Sequence, residues 1–187
     1  MDLIETEIES RAVYDGALLH ARRDTVRLPS GAESVREWID HPGASAVVPI
    51  FEDGTTLLVR QFRYPARRVF WEVPAGKLDI AGESPVAVAI RELEEETGWC
   101  STNCERIGSY FPCIGYSNEV IHVFAAFDLE KGHQHLSEGE LLEPVRLPFL
   151  RAVDMVFEGE IDDMKTITAL LLTRRWLAEN RPQTRLE

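Results

Sequence analysis

Four glutamates and an arginine stand at spacings that can do chemistry: Glu83, the pair Arg91-Glu92, and the pair Glu95-Glu96 ahead of Gly98. Ser84 is a strong N-cap residue, Pro85 suits a first helical position, and Gly98 is a natural C-terminal stop. The spacing therefore predicts a helix over 84–97. At about 100° per residue, Val86, Ile90, Leu93 and Thr97 fall on one arc, the expected buried face. Glu92 and Glu96 lie one turn apart on its flank with Glu95 beside them, and Arg91 lies within reach of a carboxylate. Like charges so close repel one another. Hard divalent cations, which take oxygen ligands, would relieve that repulsion. A solvated acidic helix face is the bland alternative, and Glu94-Glu95-Glu96 alone would favour it. The wider pattern, with Glu83 before the helix, Arg91-Glu92 inside it and Gly98 at its end, favours a cation site.

The elements that must position these residues read as an irregular alternation of strands and helices. Residues 1–43 read as short strands at 10–13, 17–27 and 34–40, ended by the turn His41-Pro42-Gly43. Residues 44–51 are apolar and β-branched, a buried strand. Glu52-Asp53-Gly54 is hairpin chemistry, with 55–64 as the returning strand. A short strand at 70–73 stops at Pro74, and further strands are expected at 106–111, 119–128 and 141–147. Helices are expected at 150–158 and 165–180, the second with an apolar stripe of Ile167, Leu170, Leu171 and Trp176. This is an α/β pattern, a mixed sheet between helices with a small N-terminal antiparallel β extension. The expected division is 1–43 for the extension and 44–187 for the domain that carries the acidic helix.

Composition narrows the function classes. With 32 acidic against 20 basic residues the formal net charge is −12, which repels nucleic acid and anionic lipid, so neither is an expected partner. A small phosphorylated substrate stays compatible, because divalent cations invert the local charge. No apolar stretch approaches the length of a membrane span. The acidic start MDLIETEIES has no signal-peptide character, and a cytoplasmic protein is expected. Cys100, Cys104 and Cys113 are odd in number with no histidine at zinc-ligand spacing, and read as incidental thiols.

The segment from Gly76 through Glu83 to Arg91-Glu92-Leu93-Glu94-Glu95-Glu96-Thr97-Gly98-Trp99 resembles the Nudix box: glycine, five residues, Glu, seven residues, then Arg-Glu-apolar-any-Glu-Glu-any-Gly-apolar. The match is complete from Glu83 to Trp99. Between Gly76 and Glu83 the chain has one residue more than the pattern, in the loop 79–82, where an insertion is easily absorbed. The resemblance implies a Nudix fold and a hydrolase dependent on Mg²⁺ or Mn²⁺. The metal would be held by Glu92, Glu95 and Glu96, the backbone carbonyl of Ala75, and Glu83 directly or through water.

The flanks resemble ADP-ribose pyrophosphatases and nucleoside diphosphate sugar hydrolases. Arg60-Gln61-Phe62-Arg63-Tyr64-Pro65 and Trp71-Glu72-Val73-Pro74-Ala75-Gly76 match the segment before the box. They offer Arg63, Arg60 and Glu72 as substrate contacts; surface arginines on a strand are the plain alternative. The acidic loop Ser137-Glu138-Gly139-Glu140 is similar to the loop that supplies the catalytic base. Glu140 aligns best and Glu138 second, while Glu95 or Glu96 is the base in other arrangements. With Arg91 holding a carboxylate, the expected catalytic set is Glu140, Glu95 and Arg91. In Phe111-Pro112-Cys113-Ile114-Gly115-Tyr116, Ile114 directly precedes the glycine where the subfamily carries proline, and this departure opens the substrate range to GDP- and UDP-sugars. The resemblance also implies a homodimer built by the N-terminal extension.

Overall fold

The computed structural model describes residues 1–136, 139–184 and 186. Contacts divide the chain into two compact units, 1–43 with 111–120, and 44–110 with 121–187.

The first unit is an antiparallel meander of β1 (Thr6–Asp15), β2 (His20–Arg27) and β3 (Glu33–Asp40). Strand β1 is longer than the 10–13 expected from sequence, because its alternating charged residues pair along the whole of β2, from Thr6 opposite Arg27 to Asp15 opposite His20. Trp38 Nε1 donates to buried Asp24 at 2.6 Å and ties β3 to β2. Residues 111–120 join this unit through backbone bonds to Ile39, with Ile39 N donating to Tyr116 O at 2.8 Å. The Asn118 side chain accepts from His41 N at 2.8 Å.

The second unit holds the box. Its elements are β4 (Ala44–Pro49), β5 (Thr55–Arg63), β6 (Arg68–Glu72), β7 (Ala75–Lys77), α1 (Pro85–Thr97), β8 (Trp99–Cys100), β9 (Asn103–Tyr110), β10 (Ile121–Phe127), β11 (Glu130–Lys131), β12 (Leu142–Pro148), α2 (Phe149–Phe157) and α3 (Met164–Asn180). One sheet has the order β7-β4-β10-β9, with β4 and β10 parallel and the other pairs antiparallel. A second has the antiparallel order β12-β5-β6, and β8 pairs with β11.

Side chains alternate across a strand, and here the alternation separates two cores. Val47, Phe124 and Ala126 pack against Ala89 and Leu93 of α1. Their strand neighbours Ala46, Val48, Val123 and Ala125 share a cluster with Phe149, Ala152, Leu170 and Leu177 of α2 and α3. The central sheet is thus covered on both faces, as continuous apolar strands require.

Three sequence expectations need correction. The turn at 52–54 does not close a hairpin within one sheet, since β4 and β5 belong to different sheets and only Ile50 bridges Thr56. Pro49 lacks an N–H to continue the ladder, and its carbonyl instead accepts the Thr56 hydroxyl at 2.8 Å. The buried arc of α1 is Val88, Ala89, Leu93 and Thr97, with Val86 and Ile90 only partly covered. In α3 the deepest residues are Thr166, Ala169, Leu170, Thr173 and Leu177, offset from the predicted stripe. Thr166 is accommodated there because its Oγ1 accepts the buried Val73 N–H at 3.0 Å and donates to Asp163 at 2.6 Å. Among the described residues no helix is long and apolar enough to cross a membrane, and the three cysteines are free and partly buried.

Candidate active site

Helix α1 is fixed at both ends by local chemistry. Ser84 Oγ accepts from Ala87 N at 3.3 Å, and Gly98, at φ 70°, sends its N–H to Glu94 O at 2.8 Å. A left-handed residue of this kind favours glycine. The caps fix the ends of the helix, and the packing of Ala89 and Leu93 against Val47, Phe124 and Ala126 fixes which face, and so which carboxylates, it turns away from the sheet.

Arg91 gathers two of them together with Glu83, which precedes the helix. Its Nη1 donates to Glu92 Oε1 at 2.7 Å and Glu95 Oε2 at 2.8 Å, and its Nε donates to Glu83 Oε1 at 3.1 Å. Burial works against the guanidinium charge, but the bonds to these glutamates outweigh it and raise the Arg91 pKa. Burial also raises the Glu92 pKa, with Arg91 opposing.

Glu96 sits differently. Its Oε2 accepts the Ala75 amide at 3.3 Å, so β7 forms the floor beneath it. Burial, with the Glu92 charge beside it, pushes the Glu96 pKa up to about 8. A carboxylate so desolvated gains most from a nearby cation. Glu92 lies over the same floor: a Cβ built at Gly76 would meet Glu92 Oε1 at 1.9 Å. Gly76→Ala is therefore expected to push the Glu92 carboxylate aside, weakening Mn²⁺ binding about tenfold or more, read by titration of the metal-free protein. Unchanged Mn²⁺ affinity would remove Glu92 from the cation site.

Glu140 lies close enough for its charge to raise the pKa of both Glu92 and Glu96. Glu138, the second sequence candidate for the base, lies outside the described residues. The segment leading to this loop is fastened to the C-terminal turn of α1, whose last carbonyls need donors from outside the helix. His135 N donates to Glu95 O at 2.9 Å, Gly132 N to Gly98 O at 2.9 Å, and Gln134 Nε2 to Glu96 O at 2.7 Å.

Among the described residues no three His, Cys, Asp or Glu side chains surround a common point as metal ligands do. Glu83, Glu92 and Glu95 are turned instead to the Arg91 guanidinium. The donor set still fits a hard divalent cation, being all oxygen, crowded with negative charge, and set against a floor that only glycine leaves open.

A second charged cluster borders the first. Arg63 grips Glu72 through Nε and Nη2, both at 2.6 Å. Lys165 Nζ reaches the same carboxylate at 3.0 Å and Asp163 at 2.9 Å. Burial raises the Glu72 pKa, but Arg63 and Lys165 outweigh it and the group is held below its ordinary value. Sequence reasoning named Arg63 and Glu72 separately, not as a pair, and missed Lys165. Asp163-Met164-Lys165-Thr166 carries only a capping signal, with Asp163 accepting from Thr166 N at 3.0 Å. Arg60 pairs with exposed Glu143 at 2.9 Å, its guanidinium 5.3 Å from the Trp71 ring centroid.

Residues 40–171 match the NUDIX domain, and residues 5–39 match the nucleoside diphosphate sugar hydrolase N-terminal domain. The chain belongs to the NUDIX family. An ADP-ribose pyrophosphatase of Bacillus subtilis (strain 168) is 36% identical over 170 residues, 90% of this chain and 91% of that one. A GDP-mannose pyrophosphatase of Yersinia enterocolitica is 33% identical over 152 residues, 75% of this chain and 78% of the relative. The crystal structure of an ADP compounds hydrolase superposes with a TM-score of 0.84 at 22% identity, over 97% of this chain and 98% of that chain, and so shares the Nudix fold. In this Nudix chain the box glutamates, the Gly76 floor and Glu140 all belong to the second unit.

Proposed function

We propose that this Nudix protein hydrolyses the pyrophosphate bond of nucleoside diphosphate sugars, with ADP-ribose the leading substrate and AMP and ribose 5-phosphate the products. The observation that carries the reading is Glu96: a desolvated carboxylate beside Glu92, over the Gly76 floor and under the charge of Glu140. Ala75 (through its carbonyl), Glu92 and Glu96, with Glu95 and Glu83 adjoining, are the residues to hold Mg²⁺ or Mn²⁺. Such a cation neutralises the diphosphate and acidifies a water. Arg91 keeps the carboxylates aligned, Arg63 is the cation to clamp the diphosphate, and Arg60 and Glu72 border it. Glu140 takes the proton of the attacking water. The relatives that act on ADP-ribose and GDP-mannose support a nucleoside diphosphate sugar as substrate.

The test is incubation with Mg²⁺ and ADP-ribose, GDP-mannose, UDP-glucose or NADH, followed by identification of the products. ADP-ribose is expected to turn over fastest, to AMP and ribose 5-phosphate, with no reaction in excess EDTA. Binding of ADP-ribose without turnover in Mg²⁺ would make the chain a sensor and overturn the reading. We further propose a cytoplasmic homodimer built through the N-terminal sheet, which leaves Ile8, Val13, Leu18 and Val35 exposed. Sedimentation at the mass of one 21.2 kDa chain would refute the dimer.

A further inference from the structure

Glu72 is supplied with more positive charge than one carboxylate needs. Its side chain is 4% exposed, yet it accepts two bonds from Arg63 and one from Lys165. The two cations are held very differently. Lys165 is 14% exposed and is pinned from its other side by Asp163. Asp163 is itself fixed as the N-cap of α3, and Thr166 in that first turn takes the buried Val73 N–H. Arg63 is 47% exposed and reaches Glu72 from the water-facing side. Glu72, joined by the charges of Glu96 in the neighbouring acidic site and of Asp163, raises the Arg63 pKa.

A buried carboxylate left without a partner is strongly unfavourable. An arginine that is the sole counter-ion of such a group is not free to go elsewhere. We propose that Lys165 is the standing counter-ion of Glu72, and that its role is to release Arg63. When a nucleoside diphosphate arrives, the Arg63 guanidinium leaves Glu72 for the diphosphate oxygens, and Lys165 keeps the buried carboxylate paired. Lys165 is thus a positioning residue that acts on substrate through Glu72 and Arg63. The inference rests on the reading that Arg63 clamps the diphosphate.

The test is ADP-ribose affinity, measured by calorimetry on full-length protein in EDTA so that nothing turns over. Lys165→Met is expected to bind about tenfold more weakly, because releasing Arg63 now strands a buried charge. Lys165→Arg, which keeps the charge, is expected to bind as the parent does. In a Glu72→Gln background there is no carboxylate to keep paired, so adding Lys165→Met is expected to change affinity by less than about threefold. If Lys165→Met does not fold, Lys165→Gln keeps a donor without the charge and carries the same expectation. A merely structural Lys165 would lower the melting temperature and leave the affinity of the folded protein untouched, and that result overturns the proposal. An equal loss in the Glu72→Gln background overturns it too. Undiminished binding by Arg63→Gln would instead sink the underlying role of Arg63, whatever the Lys165 variants do.

Discussion

Glu96→Gln is expected to lower kcat for ADP-ribose by about a thousandfold or more while making the metal-free protein more stable. The two effects have one cause. The site holds a desolvated carboxylate next to Glu92 and Glu140, an arrangement that favours a cation and disfavours the empty folded state. Removing the charge abolishes the first and relieves the second. The pH dependence follows from the direction of the shift. The Glu96 pKa is about 8 in the folded protein against an ordinary value of 4.5. Between those values the folded state keeps a proton that the unfolded chain has released. Stability therefore falls as pH rises through that window, by a few kcal/mol at most, and levels off above it. Melting temperatures in EDTA across this window are expected to decline for the parent and to be flatter for the Gln variant. Equal slopes would show that another group governs the transition. Saturating Mn²⁺ is expected to raise the melting temperature of the parent and leave the variant nearly unmoved.

The contrast between Glu96 and Lys165 shows what a sequence can carry. The box helix is encoded locally: Ser84, Pro85 and Gly98 fix its ends, and 3.6 residues per turn then fixes which glutamates face together. The central strands are legible for a related reason, since the apolar runs at 44–49 and 121–127 have no use except burial on both faces. Pairing between distant charges has no such local signature. Arg63 and Glu72 lie on the paired strands β5 and β6, but the register sets Arg63 opposite Arg68 and Glu72 opposite Val59, so the long arginine side chain reaches along the sheet to the carboxylate, and Lys165 joins them from nearly a hundred residues further along the chain. The same limit explains why 52–54 looked like a simple hairpin. The turn is present, with Gly54 N donating to Phe51 O at 3.0 Å, but Pro49 ends the first strand, and β5 takes its partners from β6 and β12. It explains, too, why 111–120 gave no sign of bonding to Ile39.

Glu140→Gln is expected to reduce kcat by about a hundred- to thousandfold, the usual weight of a positioned general base, with KM and Mn²⁺ affinity changed by less than about threefold. That separation distinguishes a base from a ligand. Loss of Glu96 should weaken Mn²⁺ binding and turnover together, whereas loss of a proton acceptor leaves the cation in place. The origin of Glu140 in the chain suits the base role. Glu140 is near enough to act on Glu92 and Glu96, yet it comes from a loop and not from α1 or its floor. The approach to that loop is tied to the carbonyls of Glu95 and Glu96 by His135 and Gln134. The helix that positions the acidic residues therefore also positions the start of the loop that would deprotonate water. If Glu140→Gln keeps its kcat within about threefold, the proton passes instead to Glu138, the second candidate of the same loop, or to Glu95 or Glu96 on α1, where Arg91 holds the Glu95 carboxylate at 2.8 Å.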